Sequence, residues 1–213
     1  MKRIVSLQDI SCLGKCSLTV ALPVLSAMGV ECAILPTAVL STHTMFEGFT
    51  CRDLTEEIGP IAAHWKKEGV AFDAIYTGYL ASAEQAADIC AFSDAFKTAD
   101  NLIVVDPVMA DTGKLYPAFG PEFPAEMAKV CAKADLIVPN LTEASLLTGL
   151  PYRTEQDEPY IREMLLALSQ LGPRYVALTG VSFEKGRLGV MYYDKETGTF
   201  GSYFNEHLPA SFH

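Results

Sequence analysis

Five short motifs carry residue types able to hold a small molecule, and each begins where a β-rich run should end. They are Gln8-Asp9-Ile10-Ser11, Ser41-Thr42-His43-Thr44, Thr77-Gly78-Tyr79, Asp106-Pro107-Val108-Met109 and Pro139-Asn140-Leu141-Thr142-Glu143. In an open α/β sheet, ligands bind outside the carboxyl ends of the strands, so polar groups repeated at those ends point to one shared site. Each motif alone has a plainer role. Asp-Pro after a strand is a common turn, Asn140 can cap a strand end while Thr142 starts a helix, and His43 can be a hydrogen-bonded loop residue. The order and spacing of all five favour a small-molecule enzyme.

The elements that must position these residues follow from periodicity. Strand candidates are 3–7, 31–35, 74–77, 102–105, 136–138 and 175–179. Amphipathic helical runs lie between them at 18–28, 53–68, 82–98, 125–133, 142–148 and 157–171. Such alternation predicts βαβ units and a mostly parallel sheet. Gly29, Gly69, Gly149 and Gly172 stand just past helix ends, where a left-handed residue is wanted. Ser82 with Gln85 resembles a capping box. Residues 187–193 and 199–204, with Thr197-Gly198 between them, read as an antiparallel hairpin at a sheet edge. No repeat or linker interrupts the chain, so residues 1–213 are expected to form a single domain. Leu208-Pro209-Ala210-Ser211-Phe212-His213 follows a strand without a closing helix, and a doubly wound sheet needs both faces covered. The sequence is therefore expected to be cut short at its C-terminal end.

Composition sets further bounds. Half of the 213 residues are hydrophobic, enough for a sizeable core. The net charge of −10, from 16 basic and 26 acidic side chains, argues against a nucleic-acid partner, which needs a basic footprint. It leaves room for a phosphorylated ligand held by backbone N–H groups, and acidic groups suit a site working through Mg²⁺. No apolar run approaches the ~20 residues of a membrane span, and the short apolar stretch after Met1-Lys2-Arg3 does not make a secretory signal. No membrane association and a cytoplasmic location are expected. The six cysteines form no C-x-x-C pair. Cys32, Cys90 and Cys131 read as buried thiols, whereas Cys12 and Cys16 flank the first loop and are candidates to line a pocket.

Taken together, the motifs resemble the pyridoxal kinase (pyridoxine/pyridoxamine kinase) family of the ribokinase-like superfamily, over essentially the whole chain. Ser41-Thr42-His43-Thr44 and Thr77-Gly78-Tyr79-Leu80 are the pieces specific to pyridoxal kinases; the Asp106 and Asn140 motifs are shared more broadly. The resemblance implies a three-layer α/β sandwich, with helices flanking a mostly parallel central sheet. It also implies transfer of the γ-phosphoryl of Mg·ATP to the 5′-hydroxymethyl of a vitamin B6 pyridine. Such a transfer needs in-line geometry, charge neutralisation and a base for the alcohol proton. By the same resemblance, Asp9, Val39, His43, Thr44 and Tyr79 line the pyridine pocket. Asp106, Asp111, Asn140, Glu143 and Thr179 face ATP, with Asp106 and Glu143 near the metal. A monovalent cation and a homodimer also belong to the family picture. Lys15 reads as a surface lysine rather than a phosphate ligand, and Met45-Phe46-Glu47-Gly48-Phe49 as a subunit contact or a flap.

Two departures stand out. Asp9 replaces the serine that many pyridoxal kinases carry, and a carboxylate there favours substrates that donate hydrogen bonds or carry positive charge. The family's Gly-Thr-Gly-Asp motif, with its catalytic base and anion hole, is absent from the sequence, so no catalytic base is assigned within it. Two other readings stay open: a hydroxymethylpyrimidine kinase-like enzyme for small alcohols, and a non-catalytic paralogue that binds vitamin B6 or nucleotide.

Overall fold

The structure, a computed structural model, describes residues 1–44 and 46–208. Met45 of the expected flap and residues 209–213 of the expected cut-off segment lie outside the described residues. The chain divides into two compact units, the first ending at Val104 and the second beginning at Val105.

The first unit runs β1 (Arg3–Ser11), α1 (Leu18–Ala27), β2 (Glu31–Leu40), β3 (Cys51–Asp53), α2 (Thr55–Lys67), β4 (Ala74–Thr77), α3 (Ala83–Phe96) and β5 (Leu102–Val105). Its strands lie in the order β5-β4-β1-β2-β3. β1 pairs in parallel with both β2 and β4, while the short β3 runs antiparallel on β2. Val5, Leu7, Leu35 and Ile75 are fully buried along these strands.

β1 and β2 run four and five residues past their expected ends. Pairing continues through an irregularity at which Gln8 faces Pro36 and Ile10 faces Val39. Asp9 is thus set against two residues, Thr37 and Ala38. Pro36 has no N–H to give the ladder, and the extra residue lets pairing resume as far as Ser11 and Leu40. The Gln8–Ser11 motif therefore lies inside the strand rather than after it. α2 starts at Thr55, two residues later than expected, because Asp53 ends β3 and its Oδ1 accepts the Thr55 N–H (2.7 Å).

Trp65, Phe72, Phe92 and Phe96 form one aromatic cluster where α2 and α3 pack, the Phe92 and Phe96 rings stacking at 4.4 Å. Phe92 is 2% exposed. Phe92→Ala is expected to cost about 3–5 kcal/mol, since it removes a large buried side chain from a cluster that cannot close over the gap. Urea titration measures this directly; a loss below ~1 kcal/mol would mean that the cluster collapses freely.

The second unit contains β6 (Ala110–Asp111), β7 (Lys114–Leu115), α4 (Phe123–Cys131), β8 (Leu136–Ile137), α5 (Leu141–Thr148), α6 (Glu158–Ser169), β9 (Tyr175–Val181), β10 (Arg187–Asp194) and β11 (Thr199–Glu206). β8 and β9 are parallel; β9, β10 and β11 follow antiparallel, with the last two as the expected hairpin. α6 buries Ile161, Met164, Leu165 and Leu168, one face at helical spacing. The β6–β7 hairpin escaped sequence reading. It turns through Thr112 (φ 50°) and Gly113 (φ 80°), both left-handed as a tight two-residue turn requires. Of the three cysteines expected to be buried, Cys131 is fully so, while Cys32 and Cys90 are half-buried.

Candidate functional site

In the first unit, the β1–β2 irregularity sets the position of Asp9. Its side chain is 4% exposed, Oδ2 accepts from Ser11 Oγ at 3.2 Å, and Oδ1 has no hydrogen-bond partner among the described residues. A buried carboxylate oxygen left so is costly unless a ligand or ion supplies a donor. Tyr79 follows β4 and is half-buried. Burial pushes its hydroxyl upward first, and the negative charges at Asp9, Cys51 and Asp53 push it further. The Tyr79 carbonyl accepts from Thr37 Oγ1 at 3.3 Å. Val39 is half-buried on β2, two residues beyond Thr37.

His43 packs its ring against Phe46 (4.8 Å, edge-on) and against Gly14 of the first loop. A Cβ on Gly14 would lie 2.8 Å from the imidazole, and φ of 120° there also excludes larger residues. Thr44 is exposed, as are Lys15 and Cys12, while Cys16 is half-buried. Asp9, Val39, His43 and Tyr79 are thus carried on three strand ends of one unit, with Thr44 directly after His43.

In the second unit, Asn140 caps α5. Its Oδ1 accepts the N–H groups of Thr142 (2.8 Å) and Glu143 (3.0 Å), while Glu143 Oε2 accepts the Asn140 N–H (2.8 Å), completing a capping box. Glu143 reaches further, with Oε1 accepting the Met109 N–H at 3.2 Å, and Asn140 Nδ2 donates to the Ala110 carbonyl at 2.8 Å. The Asn140 motif and the Asp106 motif are therefore tied together. The plainer capping role of Asn140 is real and coexists with its place beside the acidic groups.

Asp106 and Glu143 form the acidic centre of this unit. Burial pushes the Asp106 carboxyl up to about 7. Glu143, 2% exposed, is pushed up to about 8, by burial first and also by the Asp106 charge, against the lowering pull of backbone N–H donors such as Asn140 and Met109. Two recessed carboxylates in one place are destabilised as anions and welcome a cation. Among the described residues, no group of three or more His, Cys, Asp or Glu side chains is placed to hold a metal. The pair fits an ion that takes one or two carboxylates and keeps water and phosphate oxygens elsewhere, as Mg²⁺ does. Glu143 already accepts backbone N–H groups on both oxygens, which leaves Asp106 as the freer ligand.

Thr179 on β9 bridges to Asn140, and its hydroxyl donates to the Pro139 carbonyl at 3.2 Å. Asp111 is exposed, and its Oδ1 accepts the Thr112 N–H at 2.7 Å. Sequence reading missed Tyr116. Its hydroxyl is pushed up to about 12, by burial and then by Glu143, Asp111 and Asp106, so it faces the acidic centre. It also missed Thr142 Oγ1, which accepts the Gly113 N–H (3.0 Å) and holds the β6–β7 hairpin to α5. The tyrosine following Lys114-Leu115 was the available signal.

These features define an α/β fold with a mostly parallel sheet flanked by helices, the architecture of ribokinase-like kinases. The family follows from comparison: the chain belongs to the phosphomethylpyrimidine kinase family, whose model matches residues 22–207. A phosphomethylpyrimidine kinase homologue from Bacteroides thetaiotaomicron is 42% identical with a TM-score of 0.94, over 99% of this chain and 73% of that one. Its orthorhombic crystal form with pyridoxal matches 98% of this chain and 73% of that one, at a TM-score of 0.92 and 42% identity. Pyridoxal kinase of Lactobacillus plantarum is 34% identical with a TM-score of 0.89, over 99% of this chain and 74% of that one. Pyridoxal kinase of Actinobacillus pleuropneumoniae is 32% identical over 194 residues, 85% of this chain and 64% of that protein. The chain spans between 40% and 64% of the length of the first curated relatives it matches.

Proposed function

We propose that the chain serves ATP-dependent phosphorylation of the 5′-hydroxymethyl of pyridoxal, pyridoxamine or pyridoxine, giving the 5′-phosphate. The observation that carries this reading is the 42% identity, over nearly the whole chain, to a protein whose crystals contain pyridoxal. In this reading Asp9, Val39, His43, Thr44 and Tyr79 hold the pyridine ring. Asp9 accepts a donor on the ring through its unpaired Oδ1, and Tyr79 screens the ring from water. Asp106, Asp111, Asn140, Glu143 and Thr179 hold the nucleotide, with Asp106 and Glu143 holding Mg²⁺. The bound ion neutralises phosphate charge during transfer. No Gly-Thr-Gly-Asp sequence occurs among the 213 residues, so these side chains bind and orient, and none of them is assigned as base for the alcohol proton. A single kinase domain over 1–213, a homodimer, a cytoplasmic location and use of a monovalent cation belong to the same proposal. Among the described residues, no helix is long and apolar enough to cross a membrane.

A second reading keeps the chemistry and exchanges the ring for hydroxymethylpyrimidine; the description of the matching family model favours it. One panel separates the readings: binding of each ring, and phosphate transfer from Mg·ATP to it, for pyridoxal, pyridoxamine, pyridoxine and hydroxymethylpyrimidine. Preference for a B6 ring by tenfold or more, about 1.4 kcal/mol, is the expected outcome. The opposite preference would install the second reading. Binding of a B6 ring without transfer would favour a non-catalytic binder.

A further inference from the structure

Gln85, on α3 in the first unit, is 0% exposed, and its side chain bonds to three separate segments. Oε1 accepts the Ala81 N–H at 2.8 Å, in the loop that carries Tyr79. Nε2 donates to the Thr37 carbonyl on β2 at 3.0 Å and to Thr55 Oγ1 at the start of α2 at 2.9 Å, with Asp53 Oδ2 at 3.5 Å. Two further bonds close the ring. The Thr37 hydroxyl donates to the Tyr79 carbonyl, and the Thr37 carbonyl also accepts the Leu54 N–H at 3.0 Å. Thr37 is one of the two residues set against Asp9 in the β1–β2 irregularity, and Val39 lies two residues further along the same strand.

From this geometry we infer that Gln85 is a positioning residue for the proposed ring-binding residues of the first unit, fixing the Tyr79 loop and the Thr37–Val39 stretch relative to one another. A buried amide using both its ends in this way has one arrangement that satisfies every partner. Helix capping alone needs only the Gln85 N–H, which Ser82 Oγ accepts at 3.1 Å; the side chain is spent on tertiary bonds. Glutamate at this position keeps the acceptor for Ala81 but loses both donations and meets the Asp53 carboxylate. Converting Asp53 to asparagine in the same molecule removes the facing carboxylate and supplies a donor to the new glutamate at that one contact. Oδ1 of the introduced asparagine still accepts the Thr55 N–H, and the Thr37 carbonyl stays without its side-chain amide donor.

The inference rests on the proposed ring-binding function for its consequence, but not for its geometry, so the test has two arms. In the first, amide hydrogen exchange is followed in the full chain for wild type, Gln85→Glu and Gln85→Glu/Asp53→Asn. In the single variant the Asp53 carboxylate repels the new glutamate from its partners. Exchange at residues 79–82 and at Leu54, whose N–H bonds the Thr37 carbonyl, is then expected to accelerate at least tenfold, and to recover in part in the double variant, with the second unit unchanged. In the second arm, pyridoxal and Mg·ATP affinities are measured by calorimetry on the same three proteins. Pyridoxal affinity is expected to fall tenfold or more in Gln85→Glu and to recover in part in the double variant, with Mg·ATP affinity within twofold throughout. Unchanged exchange at 79–82 would overturn the inference. So would a loosened loop with unchanged pyridoxal affinity, since Gln85 would then be structural only. If wild type binds no ring of the four-compound panel, the proposed function fails, and the exchange arm alone decides whether Gln85 fixes the loop.

Discussion

Asp106→Asn is expected to make the metal-free protein more stable at pH 8 while abolishing its response to Mg²⁺. The carboxyl is pushed up to about 7 by burial, so the folded protein holds this proton more tightly than the unfolded chain does. Stability associated with such a group is fully present below the unfolded value near 4, and is lost as pH rises through about 7. After discounting for residual solvent contact, the buried charge costs about 2 kcal/mol at pH 8. Asparagine removes that cost and leaves the neighbouring Glu143 without a charged companion. Wild type should therefore lose stability between about pH 4 and 7, regain it on adding Mg²⁺, and lose it again with a chelator. Asp106→Asn should show a flatter pH profile and no Mg²⁺ effect, and any phosphate transfer should fall on the order of 100-fold or more. Thermal melts across pH, with and without Mg²⁺, measure this. Parallel pH profiles for the two proteins would show that Asp106 is not held as a costly anion.

Glu143→Ala should have the opposite effect on folding. The Glu143 carboxylate accepts the Asn140 N–H and the Met109 N–H, and the residue is 2% exposed. Alanine leaves both donors without partners, the Met109 N–H buried and the Asn140 N–H half-buried, and a buried group so left costs about 1–3 kcal/mol. The expected loss is therefore on the order of 3 kcal/mol, well above the ~1 kcal/mol of a lost cap alone. Asn140 would still accept from Thr142 and Glu143, so α5 should remain while the stretch from Asp106 to Ala110 loosens. Denaturant titration gives the magnitude, and hydrogen exchange at Met109 gives the location. A loss under ~1 kcal/mol, with Met109 still protected, would mean that water replaces the carboxylate at little cost.

The contrast between these variants shows how much of the site was written locally. Asn140 and Glu143 stand three residues apart, at the spacing of a capping box, and that spacing was legible. So was the alternation of apolar runs that orders the strands and helices. Asp9 was found as a residue but misplaced as a loop, because its setting depends on Pro36, in the strand alongside, lacking an N–H. The β6–β7 hairpin has only two residues per strand, too few for any period to register. Gln85 was read for its own helix start, yet its side-chain bonds reach residues 30 and 48 positions away. Long-range polar pairing leaves no periodic mark. Tyr116 was missed for the same reason, since only folding brings its hydroxyl to Asp106 and Glu143.

Trp65 is the only tryptophan in the chain, and it sits in the aromatic cluster of the first unit, 5.6 Å from Phe72. The protein is in this sense optically one-sided. Its indole emission follows the half that carries Asp9 and Tyr79, and is silent about the half that carries Asp106 and Glu143. A fluorescence melt and a circular-dichroism melt of the same sample thus watch different populations of residues, and the gap between their midpoints is a direct readout of how far the two units unfold independently.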